Sequence, residues 1–87
     1  MTQEDMQQIV NTGVAWLDEN MSDWRKQINL DTLSMEHYKL CIIGQLFGNY
    51  FDEEKIRGKT FMLEHGFTAL NRNWITLELL WKKALKD

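Results

Sequence analysis

The hydrophobic positions of the first twenty residues repeat at helical spacing. Apolar side chains and one glycine recur three and four residues apart, at Met6, Ile9, Val10, Gly13, Trp16 and Leu17. Thr2 is a suitable N-cap, and Glu4 and Asp5 complement the positive end of a helix dipole. The pattern predicts an amphipathic helix that ends at Asn20. Gly13 lies on the apolar stripe, which indicates that a backbone or a bulky ring approaches closely there.

The next segment predicts one short helix and a connection. Ser22 can cap a short helix that contains Trp24 and Ile28. Residues 29–35 are typical of a connection, built round Asp31 and Thr32 and held to the core by Leu30 and Leu33.

As a helix, the middle of the chain would be apolar on nearly every side, which is typical of a central, buried helix. The apolar residues are Leu40, Cys41, Ile42, Ile43, Leu46, Phe47, Tyr50 and Phe51. We expect this second long helix to begin between Ser34 and Leu40 and to stop at Gly48 in a left-handed conformation. Gly44 suits close packing. Gln45 interrupts the apolar run, and we expect its amide to bind the backbone near Asp31 and Thr32, since an unpaired buried amide is costly.

Two more helices complete the pattern. One starts at Asp52, Glu53 and Glu54, runs to Glu64 with Ile56, Thr60, Phe61 and Leu63 along one side, and ends at Gly66. The last follows Asn73, with an inward stripe of Trp74, Leu77, Leu80 or Trp81, Ala84 and Leu85. The sequence therefore predicts an all-α fold: a small compact bundle of about four helices with one short extra turn, as a single domain over residues 1–87. The predicted core contains Trp16, Leu17, Leu40, Ile43, Leu46, Phe47, Phe67, Leu77 and Trp81.

Composition limits where such a chain works and what chemistry it does. Hydrophobic residues make up 44% of the 87 residues, and four tryptophans can fill much of a small core. The N-terminus is acidic rather than basic and apolar, and no apolar run approaches the roughly 20 residues of a membrane span. Cys41 is the only cysteine, so no internal disulfide can form. We expect a cytoplasmic protein with no membrane partner.

Candidate catalytic and metal-binding groups are few. A structural zinc site takes four ligands, mostly Cys and His, and the chain has only Cys41, His37 and His65. Cys41 and His37 are the only Cys/His pair at helical spacing, and Cys41 lies in the most apolar stretch, where a thiol is inert. The five glycines are scattered, so no phosphate-binding loop is present. We expect no enzyme activity, no cofactor and no metal.

Charge is distributed unevenly along the chain. Residues 1–54 hold ten acidic and three basic side chains, whereas residues 55–87 hold seven basic and three acidic ones. If the end of the first helix lies near the Asp52 turn, an acidic face forms that resembles nucleic-acid phosphates and fits a basic groove on a partner protein. Its members are Asp18, Glu19, Asp23, Asp52, Glu53 and Glu54.

The last helix offers a second candidate face. Ile75 and Leu79 lie one turn apart and off the inward stripe, a spacing by which helices dock on a partner or on a second copy of the chain. The alternative is that this pair is buried under residues 67–70. A function of a different class is a small nucleic-acid-binding regulator that uses the basic C-terminal third: Lys55, Arg57, Lys59, Arg72, Lys82 and Lys83. No predicted helix carries the residues that read base edges.

One ordered set of residues spans almost the whole chain: Ala15-Trp16-Leu17-Asp18, Trp24, Ile28, residues 30–33 (Leu-Asp-Thr-Leu), residues 41–50 (Cys-Ile-Ile-Gly-Gln-Leu-Phe-Gly-Asn-Tyr), Gly66-Phe67, Trp74, Leu77 and Trp81. This set resembles a family of small uncharacterised proteins encoded by phages, prophages and related mobile elements of Gram-positive bacteria. Residues 35–39 depart from the family pattern, which is more acidic and turn-like there. The resemblance carries over no catalytic residues. It implies a phage-like setting, in which small acidic proteins inhibit or modulate host proteins in anti-defence roles, anti-CRISPR among them. We expect a host protein as the partner.

Overall fold

The chain folds into helices that enclose one aromatic core. The structure, a computed structural model, describes residues 2–69 and 73–86. Within these residues there are six helices and no strand, which confirms the predicted all-α class. The helices are α1 (Gln3–Asn20), α2 (Trp24–Gln27), α3 (Ile42–Phe47), α4 (Tyr50–Arg57), α5 (Lys59–Glu64) and α6 (Trp74–Lys86). Six elements form instead of four helices and a turn, because one predicted helix is divided into α4 and α5.

The first helix begins and ends where the pattern predicts. The Thr2 hydroxyl accepts a hydrogen bond from the Asp5 N–H, and the Asp5 carboxylate accepts one from the Thr2 N–H, both at 3.2 Å. This reciprocal capping box satisfies two N–H groups that the helix itself leaves free, and it lowers the pKa of Asp5. One side of α1 is buried, at Met6, Val10, Gly13 and Leu17.

Helix α6 packs on α1 through Trp81, whose ring lies in the middle of the core. The Trp81 indole N–H donates to the Gly66 carbonyl at 2.6 Å, so its one polar atom is satisfied inside the core. Phe67 stacks on the same ring with 5.8 Å between centroids, and Trp24 meets it edge-on at 6.1 Å. The predicted inward stripe of α6 is confirmed: Leu77, Leu80 and Trp81 are buried, and Trp74, Ala84 and Leu85 pack against them.

The prediction of the second long helix is wrong for its first part. Residues 35–41 form a series of turns, here called the 35–41 loop, and α3 begins only at Ile42. Cys41 is extended, and its Sγ accepts the Gly44 N–H at 3.3 Å, which caps α3. The loop backbone folds back onto Gly44, where a Cβ would collide with the Tyr38 carbonyl oxygen. Gly44 therefore permits close packing as expected, but between a loop and the helix that follows it. Gly48 ends α3 with a φ of 99°.

Gln45 fastens α3 to the preceding connection, as the sequence indicates. Its Oε1 accepts from the Asn29 N–H at 2.7 Å, and its Nε2 donates to the carbonyl oxygens of Leu40, at 2.8 Å, and Asn29, at 3.3 Å. The anchoring residue is Asn29, at the start of the connection, rather than Asp31 or Thr32.

The predicted helix from Asp52 to Glu64 is divided at Gly58. Gly58 has a φ of 89° and a ψ of 151°, a conformation that side chains disfavour, and the chain changes direction there between α4 and α5. The sequence predicted Ile56 on the apolar side of one continuous helix. Because the helix is divided, Ile56 does not lie on that side, and it is 75% exposed.

Two smaller expectations also fail. Ser22 does not cap α2, because Asp23 precedes this helix in a left-handed conformation and no side chain caps it. Leu40 is half-buried and lies outside the main hydrophobic cluster, since it belongs to the 35–41 loop rather than to a helix. The other predicted core residues join the cluster: Leu17, Ile43, Phe67, Leu77 and Trp81 are buried, and Trp16, Leu46 and Phe47 pack half-buried against them.

Candidate functional site

The outer face of α6 carries apolar side chains that the core does not use. Ile75 is 79% exposed and Leu79 62% exposed, so the pair is not buried under residues 67–69. At helical spacing, Lys82 and Lys86 continue the same stripe toward the end of α6. The α6 outer face, defined by these four residues, is therefore apolar at its first half and basic at its second.

Glu78 connects α6 to the 35–41 loop. Its Oε1 accepts the Met35 N–H at 2.9 Å, and its Oε2 accepts from the Lys82 ammonium at 3.2 Å. The buried Met35 side chain adds an apolar contact at the start of this loop. The loop is thus held beside α6 close to the exposed pair, Ile75 and Leu79. Sequence reasoning did not single out Glu78, because its partner is a backbone group far away in the sequence.

A cavity of about 320 Å³ opens where the 35–41 loop, α4, α5 and the first turn of α6 meet. Its aromatic lining consists of Tyr38, Tyr50, Phe51 and Trp74, and its charged lining of Glu36, Glu54 and Lys59. Tyr38 is 40% exposed and Phe51 55% exposed, with their ring centroids 5.9 Å apart. Trp74, which lines the cavity, immediately precedes Ile75 in α6, so the α6 outer face begins one residue from the cavity lining.

Tyr50 and Glu54 form the floor of the aromatic cavity. The Tyr50 hydroxyl donates to Glu54 Oε2 at 2.6 Å across one turn of α4. Burial raises the pKa of Tyr50, and the bond to Glu54 raises it further, so the phenol keeps its proton and remains the donor. The bond fixes the orientation of the Glu54 carboxylate.

The acidic residues proposed as a binding face lie at the end of α1, just before α2 and on α4, and most already have partners. At the end of α1, Asp18 Oδ1 accepts from the Arg25 guanidinium at 2.6 Å and from the Trp24 indole N–H at 2.8 Å. These two bonds, Arg25 first, lower the pKa of Asp18. Asp23 lies 4.0 Å from the ammonium of Lys26. Asp18 and Asp23 line a second cavity, of about 220 Å³, with Trp24 and Arg25.

The remaining acids belong to α4, apart from Glu19. Glu53 Oε2 accepts from Arg57 Nε at 3.1 Å, and Glu54 accepts from Tyr50. Arg57 also lies over the Trp16 ring, 4.8 Å from its centroid, and connects α4 to α1. Asp52 and Glu19 are exposed, with no ion pair to any residue in the described part of the chain. Ion pairing therefore weakens the acidic field that the sequence suggests.

Cys41 and His37, the only candidate catalytic pair, have different environments. The Cys41 thiol is buried, which raises its pKa, and its Sγ serves as the cap of α3. His37 is exposed and stacks on Tyr38 at 5.0 Å. Over residues 2–69 and 73–86, no group of three or more His, Cys, Asp or Glu side chains is placed to hold a metal ion.

The basic residues of the C-terminal third are dispersed. Arg57 and Lys82 are engaged with Glu53 and Glu78, and Arg57 is in addition covered by aromatic rings. Lys55, Lys59 and Lys83 are exposed on three different helices, and Arg72 lies outside the described residues.

No protein-family model, no curated protein and no solved structure matches the chain. Among the described helices, none is both long and apolar enough to cross a membrane.

Proposed function

We propose that the chain works by binding another protein, and that the partner docks on the α6 outer face and the adjoining aromatic cavity. The observation that carries the proposal is the exposure of Ile75 and Leu79 on α6, the helix whose Trp74 lines the cavity together with the exposed Tyr38 and Phe51. Exposed apolar surface is unfavourable in water, and patches of it mark interaction sites on soluble proteins. Aromatic residues within such a patch are typical anchors of protein interfaces.

The proposed role is that of an inhibitor or modulator of a host protein, encoded by a phage or prophage of Gram-positive bacteria, with anti-defence and anti-CRISPR roles included. This setting is supported by the resemblance of the residues described above. Binding without catalysis is supported by the burial of the Cys41 thiol, which keeps the one strong candidate nucleophile protonated.

Three other uses of the surface compete with this proposal. A nucleic-acid-binding regulator would use the basic C-terminal third, but its cations are distributed over several helices and two are already paired. The acidic face would use Glu19 and Asp52, which are exposed. A second copy of the chain could also cover Ile75 and Leu79, so the oligomeric state belongs to the test.

Capture of partners from a Gram-positive host lysate, with and without nuclease, tests the proposal. The wild type is compared with Ile75→Asp combined with Leu79→Asp, with Glu19→Lys combined with Asp52→Lys, and with a matched control, Ile56→Asp. Ile56 is 75% exposed, close to the 79% of Ile75, and belongs neither to the α6 outer face nor to the lining of the cavity. All these sites are exposed, so each variant should fold with small changes in stability.

The proposal predicts a nuclease-resistant protein whose recovery falls about 10-fold or more with the α6 pair and stays unchanged with Ile56→Asp. If recovery fell only with Glu19→Lys combined with Asp52→Lys, the binding site would be the acidic face. Recovery of nucleic acid alone would support the regulator. A wild-type dimer that Ile75→Asp dissociates would identify the partner as a second copy.

A further inference from the structure

We propose that the aromatic cavity binds the guanidinium group of an arginine side chain from the partner protein. This inference rests on the proposed function and names the chemistry of its anchor. A volume of about 320 Å³ is at the small end of the range for ligand pockets, about 300–1,000 Å³, and suits one long side chain.

The lining of the aromatic cavity combines π faces with carboxylates. A cation within about 6 Å of a ring centroid is attracted by the ring's negative face, and a planar guanidinium also stacks on it. Phe51 is 55% exposed and Trp74 is half-buried. The Tyr38 ring is also exposed, but His37 already stacks on it and the Lys39 ammonium lies 5.7 Å from its centroid. This set of rings would accept any apolar side chain, so the charges decide which group is preferred.

Among the lining residues, Glu36 and Glu54 supply two negative charges and Lys59 supplies one positive charge. No ion pair connects Lys59 to either carboxylate in the described part of the chain. Glu54 is held by Tyr50 through Oε2, and its Oε1 makes no hydrogen bond with the residues that the structure describes. Glu54 Oε1 can therefore accept a hydrogen bond from a side chain of the partner protein, beside the aromatic rings of the cavity.

The protein already holds two of its own arginines by the same combination. Arg57 lies over Trp16 at 4.8 Å and donates to Glu53, and Arg25 lies over Trp24 at 4.6 Å and donates to Asp18. In each case one carboxylate and at least one ring receive one guanidinium. The aromatic cavity offers rings and carboxylates, but no arginine is among its described lining residues. An arginine of a partner completes the same arrangement.

Titration of the isolated protein with two small probes tests this inference. The probes are N-acetyl-arginine methylamide and N-acetyl-citrulline methylamide, which match in shape and differ in charge. Nuclear magnetic resonance follows the Trp74 indole N–H and the amides of Tyr38 and Phe51. We expect saturable shifts with arginine, with a dissociation constant on the order of 1–10 mM, and shifts at least about fivefold weaker with citrulline.

Variants show whether the cavity carboxylates are responsible. Glu36→Gln combined with Glu54→Gln should weaken arginine binding about fivefold or more, and glutamine at position 54 can still accept from Tyr50. Glu64→Gln, at an exposed site of α5 outside the cavity, loses a single charge of the same kind and should leave the affinity unchanged. The circular dichroism spectrum of each variant confirms that it is folded.

Three results would overturn the inference: equal affinity for arginine and citrulline, equal weakening by Glu64→Gln and by the cavity variant, or arginine binding that appears only after Arg72→Gln. The last result would mean that the chain's own Arg72, two positions before Trp74 in the sequence, is the occupant. None of these results bears on lysate capture through Ile75 and Leu79, so the proposed function can stand if the arginine inference fails.

Discussion

The ring of Trp81 lies directly on the backbone of Gly13, the one glycine within α1. A Cβ built at Gly13 would lie 3.0 Å from two carbons of the Trp81 ring and would collide with the carbonyl oxygen of His65. The glycine thus lets α6 approach α1 closely, and the Trp81 indole N–H can then reach the Gly66 carbonyl. The cost of a glycine within a helix, about 1 kcal/mol, is offset by this packing.

Gly13→Ala should therefore destabilise the protein although alanine favours helices. Overpacking a core costs about 1–3 kcal/mol, and here the obstructing atom is a backbone oxygen that cannot rotate away. Urea denaturation followed by circular dichroism measures the change. Thr12→Ala, at an exposed position of the same helix, is the control and should change stability by only a few tenths of a kcal/mol. A Gly13→Ala variant as stable as the wild type would contradict the close approach of the Trp81 ring and the His65 carbonyl to Gly13.

Gln45→Leu should lower the free energy of unfolding by about 1–3 kcal/mol. Leucine leaves the Asn29 N–H and the Leu40 carbonyl without the partners that the amide supplies. Gln27→Leu removes an exposed amide from α2 and should be close to neutral. An increase in stability with Gln45→Leu would show that the amide has no structural role.

Two phenylalanines should differ in their cost of truncation because they differ in burial. Phe67 is 1% exposed and stacks on Trp81, so Phe67→Ala should cost about 3–5 kcal/mol. Phe47 is half-buried, with Arg57 over its ring at 5.4 Å, so Phe47→Ala should cost less, about 2 kcal/mol. Equal losses in chemical denaturation would mean that Phe47 is as deeply packed as the sequence suggested.

The Asp18–Arg25 pair should make stability depend on acid pH. Folding lowers the pKa of Asp18, so its contribution is present above the unfolded pKa, about 4, and is lost as pH falls through the folded value. The Arg25 side chain is 44% exposed and the Asp18 side chain 48% exposed. Solvent screening therefore limits the contribution of the pair to below about 1 kcal/mol.

Comparing the thermal midpoints of the wild type and Asp18→Asn from about pH 7 to about pH 3 checks this effect. The difference between the two thermal midpoints should be largest near neutral pH and should disappear in acid. Glu19→Gln, its exposed neighbour, removes the same charge without an Arg25 contact and should give a smaller gap. A gap that widens in acid would contradict the assigned sign.

The helices predicted best from the sequence are those whose apolar stripes continue without interruption. The capping residue of α1, the inward side of α6 and the close approach at Gly13 all follow from helical spacing and from the cost of a glycine within a helix. The two departures from the predicted helices have different causes. At Gly44, the folded-back 35–41 loop packs where a helix was expected, which is a tertiary contact that the apolar pattern does not show. At Gly58 the backbone adopts a positive φ and turns the chain, and helical spacing does not show that conformation.

The candidate site was only half predictable. Ile75 and Leu79 could be singled out because their spacing conflicts with the inward stripe of α6. The cavity could not, because Tyr38, Phe51 and Trp74 come from separate segments whose meeting depends on the 35–41 loop. The hydrogen bond from Met35 to Glu78 that holds this loop to α6 joins residues with no local relation in the sequence.

Photo-cross-linking in host lysate tests most directly which face meets the partner. A benzophenone side chain is placed in turn at position 79 on the α6 outer face, position 56 on α4, and position 19 at the end of α1. Our account predicts a discrete, nuclease-resistant protein adduct from position 79 and none of that mass from position 56 or position 19. An adduct from position 19 or position 56 without one from position 79, or an adduct from position 79 that nuclease removes, would contradict it.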